Sequence, residues 1–195
     1  MTFGSATGGR AATDWRTRDI VVTAIIGVVF GVVFQVWNQI AAATTGWFTA
    51  FPAGQNLLYG VWLMPAVLAP LIVRKAGAAL FAEVVAAGLS MFLGSPYGAD
   101  TLLSGIVQGG GAELVFLLVR YRGWSMPVLS LAAALSATAA WAHDWIVWSP
   151  TTGFDVQLWF WVCAVLSAVA IAGVGSLYLV RALRRTGVLQ GFPAG

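Results

Sequence analysis

The chain has 195 residues, of which 59% are apolar and 9% charged, and carries a net charge of +3. A soluble domain holds roughly 25% charged residues, so this composition excludes a soluble enzyme or binding module and leaves a polytopic membrane protein. The single cysteine, Cys163, sits in an apolar run and cannot form an internal disulfide.

Residues 1–19 are polar and rich in Gly, Ala and Thr, and read as a cytoplasmic tail with Trp15 at the interface. Six apolar spans follow: Ile20–Ala43, Leu57–Val73, Ala76–Leu93, Thr101–Val119, Met126–Trp148 and Val156–Val180. Each reaches or approaches the ~20 residues that cross ~30 Å of hydrocarbon. The expected fold is all-α: a six-helix transmembrane domain over 20–181, then a cytoplasmic C-terminal tail over 182–195. A signal peptide ending near Ala41-Ala42-Ala43 is the alternative for the first span. Its apolar run is longer than the ~7–15 residues of a signal core. The second span is the shortest and holds Pro65 and Pro70, which predicts a kink.

The ten basic residues are Arg10, Arg16, Arg18, Arg74, Lys75, Arg120, Arg122, Arg181, Arg184 and Arg185. With six spans and the N-terminus inside, all ten lie on the cytoplasmic side. The opposite loops, 44–56, 94–100 and 149–155, contain no Lys or Arg. This is the positive-inside pattern. It accounts for the basic charge without a nucleic-acid partner. Trp15, Trp47, Tyr97, Trp124 and Trp148 stand at span ends, as interfacial aromatics do.

Several polar groups lie inside the spans. An ionisable group at mid-membrane costs about 2.5–3.5 kcal/mol on insertion scales, so Glu83 and Glu113 require a reason. Glu83 lies about 10 Å into the third span and Glu113 about 9 Å from the inner end of the fourth. Glu83 is either a ligand contact or a partner for another helix. Glu113 stands seven residues before Arg120 on the same face, which leaves a structural or coupling role equally open.

On the fifth span Trp141, Asp144, Trp145 and Trp148 share one helical face. An acid among aromatic rings can hold a flat, cationic or nitrogen-rich ring; an interfacial aromatic stripe is the plainer reading. His143 points about 100° from Asp144 and is either a ligand contact or a structural group. Gln108, within Gly105–Gly111, is a candidate ligand contact, and the glycines around it either admit a ligand or pack helices.

In the first span Gln35, Trp37, Asn38 and Gln39 cluster in the outer half. The loop after it carries Trp47, Phe48, Phe51 and Pro52 and could fold over a site as a lid. Thr23, Gly27 and Gly31 form a four-residue-spaced strip for a partner helix, from this chain or from another subunit. No Walker A motif, metal-ligand spacing or hydrolase triad is present, so neither a metal nor a cofactor is expected.

The residues resemble a known family at Trp15-Arg16-Thr17-Arg18-Asp19-Ile20, at Arg74-Lys75-Ala76-Gly77-Ala78-Ala79 with Glu83, at Gly94-Ser95-Pro96-Tyr97-Gly98, and from Gly105-Ile106-Val107-Gln108-Gly109 through Ala112-Glu113-Leu114-Val115-Phe116. The chain resembles the substrate-binding S components of energy-coupling factor (ECF) vitamin transporters, closest to the YkoE type associated with thiamine or its hydroxymethylpyrimidine precursor. The resemblance covers most of the chain through the fourth span. It implies a transmembrane coupling subunit and two ATPase subunits as partners, contact of the Thr23-Gly27-Gly31 strip with the coupling subunit, and gating by the first outer loop. It also places the ligand in the outer half. The candidate binding residues are Trp37, Asn38, Trp47, Glu83, Gln108, Glu113, Trp141, His143, Asp144 and Trp145. The competing reading is a membrane-embedded enzyme or cofactor-binding protein using Glu83, Glu113 and His143.

Overall fold

The computed structural model describes residues 12–194; the first part of the expected N-terminal tail, including Arg10, lies outside them. The described chain is helical and contains no strand among the described residues. Helix α1 spans Thr17–Thr44. Two 3-10 segments follow, Thr45–Phe48 and Pro52–Val61, and then α2, Met64–Val73. Helices α3 (Ala78–Phe92), α4 (Asp100–Leu118) and α5 (Met126–Trp148) come next. The last span is continuous from Phe154 to Arg185, built from α6 (Phe154–Ser167), a π-helical stretch (Ala168–Gly175) and α7 (Ser176–Arg185). Five of these helical stretches are long and apolar enough to cross a membrane, while α3 has only 15 residues.

Helix α1 starts where the side chain of Asp19 accepts the backbone N–H of Arg16 at 3.0 Å. This satisfies one donor that the first turn leaves open. One face of α1 is Ile/Val-rich and exposed, as at Ile25, Val29 and Val36; such a face suits lipid. The other face carries Thr23, Gly27 and Gly31, all buried. A Cβ on Gly27 would stand 2.7 Å from the Cβ of Val85, and one on Gly31 2.7 Å from that of Leu89. The small-residue strip therefore meets α3 of this same chain. Of the two partner helices the sequence left open, the intramolecular one is observed at Gly27 and Gly31.

The same device joins α4 to its neighbours. A Cβ on Gly105 would meet that of Ala87 at 2.4 Å, and one on Gly109 that of Glu83 at 2.9 Å. Gly111 faces α5, with the carbonyl of Leu135 at 2.9 Å. Lipid tails are as apolar as leucine, so close backbone approach rather than hydrophobic exclusion holds membrane helices together.

The second span departs from a single kinked helix: it is broken. Pro65 has no N–H to continue a helical ladder, and the chain changes from 3-10 to α between Val61 and Met64. The 3-10 half is held by its neighbours. Trp37 Nε1 donates to the carbonyl of Leu58 (2.9 Å) and Ser167 Oγ to that of Leu57 (2.6 Å), while the N–H of Gly60 donates to Ser167 Oγ (2.9 Å).

The glycine contacts make opposite forecasts for two substitutions. Gly27→Ala must push α1 off α3 and should destabilise by about 1–3 kcal/mol. At Gly110, where an added Cβ meets nothing within 4 Å, Ala should be neutral or stabilise by up to about 1 kcal/mol. Thermal unfolding in detergent distinguishes the two.

Candidate functional site

A cavity of about 360 Å³ lies between α1, the Pro52–Val61 segment, α3, α4, α5 and α6. That volume suits a single small molecule. Asn38, Glu83, Gln108, Trp141 and Asp144, all expected from sequence, line it. Tyr59, Trp62, Tyr97, Asp100, Trp148 and Gln157 line it too.

At one end stands Glu83, 0% exposed. Its Oε2 accepts the backbone N–H of Ala66 at 3.0 Å, in the first turn of α2. The broken span exposes helix N-terminal donors inside the bundle, and a carboxylate there gains from both hydrogen bonding and the helix dipole. The other oxygen, Oε1, is buried and has no hydrogen-bond donor among the described residues.

A chain of polar contacts forms the opposite wall. Tyr59 Oη donates to Asp144 Oδ2 at 2.7 Å. His143 Nδ1 lies 3.1 Å from Asp144 Oδ1, and its Nε2 3.2 Å from Asp100 Oδ1. Trp148 Nε1 donates to Asp100 Oδ2 at 3.0 Å. Two carboxylates are thus spaced and oriented by one histidine. His143 is itself buried and outside the cavity lining. Its ring reaches round the helix to the side chain next to it in sequence, which the 100° separation did not suggest. Tyr97, in the turn before α4, stands close to this wall; burial, and then the charge of Asp144, raise the pKa of its phenol.

Aromatic and amide groups complete the enclosure. Tyr59 and Trp62 meet edge to face at 5.6 Å, as do Tyr97 and Trp148 at 5.8 Å. Trp62 Nε1 donates to Asn38 Oδ1, and Trp141 Nε1 to both oxygens of Gln157. Gln108 Nε2 donates to Ser104 Oγ at 2.7 Å. In the segment after α1, Gln55 Nε2 donates to the carbonyl of Ala41 and Asn56 Nδ2 to that of Phe160, and both residues line the cavity. This loop covers the site with its 3-10 helix rather than with its aromatic tip.

Besides His143, four expected residues stand back from the cavity. Trp37 anchors the 3-10 segment. Trp145 packs on Trp141 at 5.3 Å and on Phe154 at 6.0 Å. Trp47 is 80% exposed. Glu113 accepts the N–H groups of Gly77 and Ala79 at 2.6 and 3.0 Å and the hydroxyl of Tyr121 at 2.6 Å. It closes the N-terminus of α3 at the Arg-rich end of the bundle. Burial there, and then the hydrogen bond and charge of Glu113, raise the Tyr121 pKa.

The chain is similar to a protein family, to a named relative and to a solved structure. A family model described as "ABC-type cobalt transport system, permease component" matches residues 18–139. A Bacillus subtilis (strain 168) protein that carries the name HMP/thiamine permease protein YkoE is 36% identical over 187 residues, covering 93% of this chain and 91% of the relative. The crystal structure of an S-component of an ECF transporter superposes with a TM-score of 0.87 at 34% identity, covering 92% of this chain and 91% of that one. The chain belongs to this family, as a YkoE-like S component. It is therefore a multi-pass plasma-membrane transport protein and not an enzyme. Of Glu83, Glu113 and His143, only Glu83 lines the cavity.

For this S component the position of Glu113 predicts a structural effect. A hydrogen bond to a charged group contributes about 1.5–3 kcal/mol; Glu113 is half-buried, so water replaces part of what its three bonds supply, and Glu113→Ala should lower stability by about 2–3 kcal/mol. Detergent-phase melting should show the loss, and ligand affinity of the folded fraction should stay unchanged.

Proposed function

We propose that this chain is the substrate-binding subunit of an ECF-type importer, and that its cavity takes thiamine or the hydroxymethylpyrimidine precursor. The observation that carries the reading is the unpartnered Glu83 oxygen at one end of an aromatic cavity whose other wall holds Asp100 and Asp144. An aminopyrimidine amine is a donor suited to Glu83 Oε1. The thiazolium of thiamine is a flat cation, suited to tryptophan faces and a nearby carboxylate. The name of the Bacillus subtilis relative supports this substrate class. Asn38, Gln108, Trp141 and Asp144 are the contacts we assign beside Glu83. Trp37, His143 and Trp145 position them, and Trp47 sits at the membrane interface.

The subunit works with a transmembrane coupling protein and two ATPases, which supply the energy this chain has no motif to supply. The Arg-rich end faces the cytoplasm by the charge rule, with the tails of residues 1–19 and 182–195 on that side. The cavity then opens on the outer half of the membrane. The purified chain should respond to nanomolar-to-micromolar thiamine or hydroxymethylpyrimidine by a change in tryptophan fluorescence. Glu83→Gln keeps an oxygen for Ala66 and turns the other acceptor into a donor. It should weaken both ligands by about ten- to a hundredfold, the worth of a charge-assisted hydrogen bond. Asp144→Asn should weaken the cation more than the neutral precursor. A folded protein silent to both compounds overturns the substrate assignment.

A further inference from the structure

The Arg-rich end holds a second concavity, separate from the vitamin cavity and about 1000 Å³ in volume. It lies between the start of α1, the α2–α3 and α4–α5 connections and the C-terminal turn at Phe192. Six basic residues line it: Arg16, Arg18, Arg74, Lys75, Arg120 and Arg122. Asp19 is the one acid among the described lining residues, and it is already engaged by the Arg16 N–H and by Arg18 Nε at 3.7 Å.

Arg74 lines this groove. Its guanidinium lies over the Trp124 ring, 5.6 Å from the centroid. Its Nε is buried and finds no acceptor among the described residues, a state that costs free energy unless an acceptor arrives. Burial, and then the nearby Arg184 charge, lower its pKa; an anion beside the guanidinium offsets both by favouring the charged form. Arg74 and Arg120 also occupy left-handed backbone at φ 52° and 54°, where glycine is the usual residue at a helix end. The chain keeps a guanidinium at each of these strained positions.

We propose that the groove binds the phosphate of an anionic phospholipid headgroup. The guanidinium fork matches phosphate oxygens, and basic pockets at the ends of transmembrane helices hold lipid headgroups. The choice of a lipid over free phosphate rests on the apolar groups beside the cations. Val73, Trp124, Phe192 and Pro193 line the same groove and suit a glycerol backbone and its first methylenes.

The experiment uses the full chain in neutral detergent, with thermal unfolding and native mass spectrometry as readouts. Phosphatidylglycerol should raise the melting temperature and remain bound, and phosphatidylcholine should do neither. Arg74→Gln and Arg122→Gln should each weaken phosphatidylglycerol retention by about fivefold, the contribution of one surface cation to anionic lipid binding. Arg122 is exposed, so its variant tests the groove even if the Arg74 variant misfolds. Arg181→Gln is the control: Arg181 lies over Tyr178, outside the groove, and its loss should change nothing. Equal weakening by Arg181→Gln would reduce the effect to general surface charge and overturn the proposal. Equal retention of phosphatidylcholine would overturn it as well. Full stabilisation by millimolar inorganic phosphate, with no gain from lipid, would overturn the lipid as occupant.

Discussion

The hydrogen bond between Glu83 and the N–H of Ala66 is the constraint on which the rest of the cavity depends. A membrane interior supplies no water to satisfy a broken helix, so each freed donor must find a protein partner. The break at Pro65 creates such donors, and the carboxylate of α3 answers one of them. The same break lets the chain before it run as a 3-10 helix, which brings Gln55, Asn56 and Tyr59 to the cavity. Without Glu83 the interruption would leave an orphan donor in the core. Without the interruption, Glu83 would be a buried acid with nothing to bind.

The other wall solves a related problem by a different route. Asp100 and Asp144 would repel each other if left adjacent. His143 separates and orients them, while Tyr59 and Trp148 take their outer oxygens. Glycines 27, 31, 105 and 109 matter to both walls, because they set the α1–α3 and α3–α4 distances. They place Glu83 at the depth where α2 begins. Backbone proximity between helices and polar chemistry in the cavity are therefore one design: a methyl group on Gly109 would press on the Cβ of Glu83 itself.

Class, spans and the clustering of the cations were legible in the chain because each is a local property. A run of apolar residues declares its own environment, and Arg and Lys declare theirs. The candidates Asn38, Glu83, Gln108, Trp141 and Asp144 were legible for a similar reason: a polar group or tryptophan inside a span has few bland explanations. What the sequence hid was pairing. Glu83 is joined to Ala66 across 17 residues and His143 to Asp100 across 43, and no periodicity reports such contacts. Asp100 was present as an acid in a loop without a single Lys or Arg, a clue to its use that spacing alone could not complete. Tyr59 was masked by the expectation of an α-helix through Leu57–Val73. The small-residue strip on α1 meets α3 at Gly27 and Gly31, and a strip of this kind does not by itself reveal which helix will fill it.

The brevity of α3 has a consequence for the membrane around the protein. Fifteen residues rise about 22 Å, several ångströms less than the ~30 Å of an average hydrocarbon layer. The chain then turns at Gly94–Ala99, where Ser95 and Tyr97 border the cavity. At the end of α3 the chain therefore turns back after a shorter stretch of helix than α1 or α5 provides. Lipids beside α3 must thin or splay to meet it, at a modest cost that grows with mismatch. Of the spans, α3 is therefore the one whose fit depends most on the thickness of the surrounding bilayer.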